Sequence, residues 1–365
     1  MHRLIRASID LRALRRNFAL ARERAGRRAV WPVVKADAYG HGVKAVVHAL
    51  ADADGFCVAD LDEGLALRGL GVTCPVLVIQ GVYSGAGLAA AAAAGLTLGV
   101  HDPEQLALIE RDAPALAAGS LRLWLKLETG MHRLGLMPDA ALEARERCAR
   151  LDAVAELGMM THFACADTVD HVLTDAQATE FGMAALGADG PVSACNSAAL
   201  LTGAFQRDTV VRPGIMLYGG TPLLGRTAAG LSLAPVMTLR SRVIAVKDVA
   251  VGDTVGYGAT WVAKETTRIG LVAAGYGDGY PRHAATGTPV RIGNCDVHTL
   301  GRVSMDSLAV DLRTAGHVRP GDEVVLWGRG LPVDLVAAAA GTIGYELLAG
   351  LTARVPREIV GGEQV

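Results

Sequence analysis

The sequence predicts an α/β protein in two parts: an N-terminal (β/α)8 TIM-type barrel over residues 1–234 and a mostly antiparallel β domain over residues 235–365. Three observations predict it. Eight short apolar runs, beginning near residues 30, 55, 76, 96, 121, 159, 192 and 210, alternate with stretches of helical periodicity, the rhythm and count such a barrel requires. After residue 234 the texture changes to β-rich runs broken by Gly, Asp and Pro, with no long helix between them. Polar residues suited to chemistry gather where the apolar runs end, and that is the rim on which barrels of this kind carry function. An open doubly wound sheet is the rival architecture, but it usually needs fewer strands.

Residues 9–25, rich in arginine with leucines at helical spacing, read as an opening amphipathic helix. The run 30–34 reads as the first buried strand, and Lys35-Ala36-Asp37-Ala38-Tyr39-Gly40-His41-Gly42 as a turn leading into a helix. Helices are expected at 61–70, 103–112, 140–151 and 174–188. The fifth strand, 121–128, runs into a segment in which Gly130 and Gly135 flank Arg133 and suggest a turn that aims it. The sixth ends at Thr161-His162-Phe163 and the seventh at Cys195-Asn196-Ser197. The eighth opens at Val211-Arg212-Pro213-Gly214-Ile215 and continues through Tyr218-Gly219-Gly220. In the second part, strands are expected at 237–249, 254–258, 268–274, 289–292, 308–312 and 323–326, followed by one helical segment over 333–351.

Composition removes several classes of function. A net charge of −2 offers no basic field for nucleic acid or an anionic membrane, and 4% aromatic residues leave little to stack on bases. The alanine-rich stretch 88–95 is too short to span a bilayer. Six scattered cysteines (Cys57, Cys74, Cys148, Cys165, Cys195, Cys295) form no Cys-x-x-Cys pair and read as reduced residues of a cytoplasmic protein. Met1 to Arg16 has no apolar core of the signal-peptide kind. His162, Asp167 and His171 match no standard metal-ligand spacing, so no metal is expected.

The residues themselves suggest amine chemistry beside an anion. A lysine at the mouth of a buried strand is partly desolvated, which lowers its pKa and frees the amine as a base or for a Schiff base. Asn196-Ser197 reads as a helix N-cap that would present N–H groups to a phosphate, and Gly214-Ile215 could add backbone amides. The β domain carries two Gly-Tyr-Gly motifs, 256–258 and 275–277, and Leu300-Gly301-Arg302-Val303-Ser304-Met305-Asp306. A tyrosine between glycines is, on its own, usually a turn or hairpin residue.

The decapeptide Val33 to Gly42 resembles the pyridoxal-phosphate lysine motif of the alanine racemase family, and the likeness extends in order along nearly the whole chain. It implies that Lys35 holds pyridoxal 5′-phosphate, that Tyr39, Ser197, Gly214 and Ile215 bind its phosphate beside the Asn196 cap, and that Arg212 faces its pyridine nitrogen. It also implies substrate-carboxylate contacts from Arg133 and the backbone at Met305, and a Lys126 that in some relatives is carbamylated to orient the arginine. Tyr257 is implied as the second catalytic base, with His162 as its hydrogen-bonding neighbour. Tyr276, Arg302 and Asp167 are implied to line the substrate access corridor.

In that family the residues matching Tyr257, Tyr276, Arg302 and Met305 reach the site from a partner subunit. A homodimer with shared sites is therefore implied, acting on L- and D-alanine by a two-base mechanism, for peptidoglycan or for alanine catabolism. One position departs: some relatives have a phosphate-contacting tyrosine where Ala353 stands, which leaves serine and other small amino acids open as substrates. A fold-related decarboxylase of basic amino acids is the second reading. Those enzymes typically place a glutamate where Arg212 stands and a cysteine where Tyr257 stands. A non-catalytic single-barrel pyridoxal-phosphate protein is the third, and such chains lack the β domain.

Overall fold

The computed structural model describes residues 3–362. All eight expected barrel strands are present, and six of them, from Phe56–Val58 to Val192–Ser193, lie in sequential parallel order. The first strand, Ala29–Val30, pairs in parallel with the last, Val210–Val211. Two sets of hydrogen bonds close the ring. Cys57 N and Val34 N donate to Pro32 O and Cys57 O at 2.9 Å, while Thr209 N and Arg212 N donate to Val192 O and Cys195 O at 2.9 Å. The interior is filled, with Trp31 stacked on Trp124 at 4.9 Å between centroids. Gly55 and Gly158 make room for these rings, since a Cβ at either would fall within 2.7 Å of an indole.

The opening helix starts at Leu11, not at residue 9, because Arg6–Asp10 is a strand and Asp10 then caps the helix by accepting from Arg12 N and Ala13 N. That strand pairs antiparallel with Met237–Val249 and parallel with Arg357–Val360, so a segment expected with the barrel is woven into the second sheet. Pairings so distant in sequence leave no local signature.

Met237–Val249 is the spine of the β domain. Register shifts at Leu239/Arg240 and Val243/Ala245 let it pair with Glu323–Trp327 near its start and Thr267–Val272 near its end, which curls six antiparallel strands into a closed barrel. The strand Cys295–Leu300 was not anticipated; it follows Pro289–Ile292 across the two-residue turn Gly293-Asn294, with Gly293 at φ 57°. The expected helical segment 333–351 is two helices, Val333–Ala340 and Gly344–Ala349, separated at Gly341, whose φ of 73° ends the first. Among the described residues no helix is long and apolar enough to cross a membrane.

Candidate active site

The segment after Lys35 is not the expected turn into an ordinary helix. Ala36, Asp37, Ala38 and Tyr39 all have φ between 52° and 54°, a full turn of left-handed helix without a glycine. Each such residue costs about 1–2 kcal/mol, so the turn persists only because its surroundings over-determine it. Glu63 accepts from Ala36 N and from Ala59 N, both at 2.7 Å, tying the turn to the second βα unit. Asp37 Oδ1 accepts from Val43 N at 2.7 Å. Gly40 is required because a Cβ there would lie 2.1 Å from Leu348 O. Lys35 and Tyr39 thereby face the same cavity, with the Tyr39 ring stacked on Tyr218 at 4.7 Å.

The cavity, of about 560 Å³ at the barrel mouth, is lined by Lys35, Lys126, Arg133 and Arg212, and Asp167 is the one carboxylate among its lining residues. Burial lowers the Lys35 pKa, and Arg133 lowers it further, against a smaller opposing effect of Glu63. Burial, Arg133 and Arg212 pull Lys126 down to about 8. Burial and the same cations hold His162 well below the ordinary imidazole range, so the ring is neutral. Arg212 is 6% exposed and pairs with no carboxylate among the described residues: it donates to Thr161 O at 2.7 Å and to the Ser193 hydroxyl. Arg133 sits on an excursion clamped where Leu127 and Leu136 pair, and both Gly130 (φ 128°) and Gly135 (φ 152°) take conformations that favour glycine, as a turn aiming this arginine needs.

Opposite the lysines is a cradle. Asn196 caps the helix Ser197–Thr202, its Oδ1 accepting from Ala199 N at 3.0 Å. Ser197 Oγ accepts from Gly214 N at 2.8 Å and Met216 N at 3.4 Å, which leaves its own hydroxyl proton to donate into the cavity. The eighth strand does not continue through Tyr218: it stops at Val211, and Ile215–Tyr218 form a short helical turn that brings Gly214 and Ile215 to the cavity wall. Gly214 has no room for a side chain, since a Cβ would meet Tyr39 Oη at 2.5 Å. His162 Nε2 lies 3.5 Å from Asn196 Nδ2.

Eleven of the expected site residues thus line one cavity: Lys35, Tyr39, Lys126, Arg133, His162, Asp167, Asn196, Ser197, Arg212, Gly214 and Ile215. Four others do not reach it within this chain. Tyr257 is 68% exposed, Met305 51% and Tyr276 37%, and Arg302 is also exposed. They gather instead on neighbouring loops: Tyr276 N donates to Ser304 O at 3.1 Å, Gly277 N to Met305 O at 2.9 Å, and a Cβ at Gly258 would touch the Arg302 guanidinium. The β domain does close the chain's own cavity with Ile343, Tyr345 and Ala349, which sequence reasoning missed. Tyr345, 6.1 Å from the Tyr39 ring, sits in an alanine- and leucine-rich stretch with no motif around it. Ala353 is exposed and outside the cavity lining.

A closed barrel whose rim crowds two lysines and two arginines around an N–H and hydroxyl cradle, followed by a tyrosine-displaying β barrel, defines a two-domain architecture with a strongly cationic cavity at the barrel mouth. Residues 9–222 match the family model "Alanine racemase, N-terminal domain" and residues 236–359 match "Alanine racemase, C-terminal domain". The chain belongs to the alanine racemase family. It is 48% identical over 356 residues to a biosynthetic alanine racemase of Pseudomonas aeruginosa, covering 96% of this chain and 98% of that protein. It is 50% identical over 365 residues to an alanine racemase of Thioalkalivibrio sulfidiphilus, covering 99% and 100%. The crystal structure of the P. aeruginosa biosynthetic enzyme superposes with a TM-score of 0.95 at 47% identity, covering 98% of this chain and 99% of that one. That of the Acinetobacter baumannii alanine racemase gives 0.92 at 38% identity, covering 98% and 100%.

Proposed function

We propose that this protein interconverts L- and D-alanine with pyridoxal 5′-phosphate as cofactor, as a cytoplasmic homodimer with shared sites. The observation that carries the reading is the uncompensated charge: four cationic side chains and one carboxylate around a cavity whose cradle offers the Ser197 hydroxyl and the Gly214–Ile215 backbone. Buried cations without partners are costly, and a phosphate together with a substrate carboxylate would neutralise them. The absence of a side chain at Gly214 and the Tyr39 hydroxyl beside it fit a phosphate in that cradle.

Bound there, the cofactor would supply the electron-withdrawing ring that makes an amino-acid Cα proton removable. Lys35 would hold it, and the lowered Lys35 pKa favours the neutral amine that attachment and proton abstraction both require. Racemisation needs a base on each face of the substrate. Lys35 serves one face and Tyr257 of the second subunit the other, with neutral His162 able to hydrogen-bond that phenol. Arg133 and the Met305 backbone bind the substrate carboxylate. Arg212 holds its protons too tightly to release one, so it would donate a hydrogen bond to a cofactor ring nitrogen that stays unprotonated, and the weaker electron pull of that ring would favour simple proton return over transamination. Tyr276, Arg302 and Asp167 flank the access path.

Lys126 titrates at about 8, so a fraction of it is neutral near physiological pH, the form that adds carbon dioxide with loss of one proton. The resulting carbamate would place an anion beside Arg133 and replace a cation–cation contact with an ion pair. Ala353 lies outside the cavity lining, so it gives no support to the second substrate reading, other small amino acids such as serine, and alanine stays the first reading. The decarboxylase alternative is disfavoured by Arg212 and Tyr257. The test is solvent-deuterium incorporation at Cα with chiral analysis, using purified protein, pyridoxal phosphate and separate L- and D-alanine. Exchange with inversion in both directions is expected; inert alanine with inverted serine would reassign the substrate, and carbon dioxide release would reassign the reaction.

A further inference from the structure

Of the groups on the left-handed turn, one buried ionisable side chain has no part in the chemistry above. We propose that His41 is the positioning residue of this site: its Nδ1–H locks the left-handed turn that aims Lys35 and Tyr39 into the cavity. The inference rests on the pyridoxal-phosphate reading for its function and on geometry for its mechanism.

His41 has no solvent exposure. Its Nδ1 lies 3.0 Å from Ala38 O and 2.8 Å from Tyr39 O. Carbonyl oxygens only accept, so Nδ1 carries the hydrogen and the tautomer is set by these contacts. The turn needs this outside donor. In a right-handed helix the carbonyls of Ala38 and Tyr39 would accept from the N–H groups of Gly42 and Val43. Here Gly42 N donates to Asp37 O at 3.0 Å and Val43 N to Asp37 Oδ1 at 2.7 Å. Ala38 O still accepts from His41 N at 3.2 Å, whereas Tyr39 O has no backbone donor among the described residues, and the histidine ring supplies one.

The same ring anchors the turn to the strand before it. His41 packs on Tyr218 at 4.6 Å, and Tyr218 stacks on Tyr39 at 4.7 Å. The Tyr218 hydroxyl donates to Val33 O at 2.9 Å, two residues before Lys35. Strand, lysine, turn and phosphate-facing tyrosine are thereby joined through one aromatic column. Nε2 has no hydrogen-bond partner among the described residues, as expected of a ring that works through its other nitrogen. Burial keeps the imidazole neutral, its pKa pulled down to about 4 against the weaker opposing pull of the two carbonyls, so the same tautomer persists across the working pH range.

Asparagine and glutamine separate positioning from packing. In His41→Asn the amide nitrogen falls where Nδ1 is, in His41→Gln it falls near Nε2, and both variants lose the ring. Pyridoxal phosphate is titrated into wild-type apoprotein and into the two variants, with binding followed by quenching of tryptophan fluorescence. His41→Asn is expected to bind within about threefold of wild type and His41→Gln about tenfold more weakly, the scale of one lost neutral hydrogen bond. Equal weakening of both would overturn the proposal. Should neither variant fold, [15N]histidine NMR of the wild-type protein decides: a bare Nε2 and protonated Nδ1 from pH 6 to 8 is expected, and an Nε2–H tautomer would overturn it. A wild-type protein that fails to bind pyridoxal phosphate would refute the functional reading and leave the NMR test of the geometry standing.

Discussion

The barrel mouth and the exposed loops of the β domain hold the two halves of one expected site, and they are built in opposite ways. At the mouth, the functional groups other than the exposed Arg133 are buried or half-buried, and most are fixed by side-chain bonds: Glu63 on the turn of Lys35, Thr161 and Ser193 on Arg212, Gly214 and Met216 on Ser197. On the loops, Tyr257, Tyr276, Arg302 and Met305 stand open, and the contacts that join their loops are mostly backbone. On the proposed function, a single chain would carry the cofactor side of the site without the second base, and a displayed base without a substrate. The contrast teaches that the chain preorganises charge within itself, where misplacement is costly, and under the proposed shared-site dimer it leaves the open half to be completed by association.

Replacing Lys35 should separate the halves most strongly. Lys35→Ala removes the attachment point and one base together, and racemisation in both directions should fall on the order of 10⁴-fold or more in kcat/KM. The melting temperature should hold, because a like charge leaves a crowded cavity. Tyr257→Phe should cost about 10²–10⁴-fold, and more in one direction than the other in a solvent-deuterium assay. Its effect on monomer stability should stay within about 0.5 kcal/mol, as for other exposed positions. A loss symmetric in both directions would remove the distinction between the two bases.

Arg133→Met should raise KM roughly ten- to a hundredfold with a smaller change in kcat, the worth of a charged hydrogen bond to a carboxylate. It should also raise the Lys35 pKa, because Arg133 is a cation that depresses it. An unchanged pH profile would sever that link. The smallest effect belongs to Lys126. With a pKa of about 8 the amine is largely protonated at pH 6 and about half neutral at pH 8, and only the neutral form takes up carbon dioxide. Carbon-dioxide-depleted enzyme at pH 8 should lose activity roughly two- to tenfold and regain it with bicarbonate, whereas Lys126→Ala should not respond.

Much of the barrel was legible because its information is local: each strand is an apolar run and each helix a period of 3.6 residues, so even Pro103–Asp112 falls where the pattern puts it. The cofactor-side residues were legible for a related reason, since strand ends are rim positions by topology. The left-handed turn was not, because its conformation is imposed by Glu63 and His41 from outside the local backbone, and Gly40 and Gly42 were its only hint. The strand Arg6–Asp10 escaped because its partners lie more than two hundred residues away. Tyr345 escaped because a lone tyrosine in an alanine- and leucine-rich segment looks like any half-buried aromatic.

Mixing two inactive variants tests the shared site most directly. Lys35→Ala and Tyr257→Phe proteins are unfolded together, refolded as a mixture and assayed for alanine racemisation. If each site takes Lys35 from one subunit and Tyr257 from the other, half of the dimers carry both variants and one of their two sites is wild type. Activity should then recover to about a quarter of the wild-type value. A mixture no more active than its components would contradict the account and return Tyr257 to its own chain or to no catalytic role.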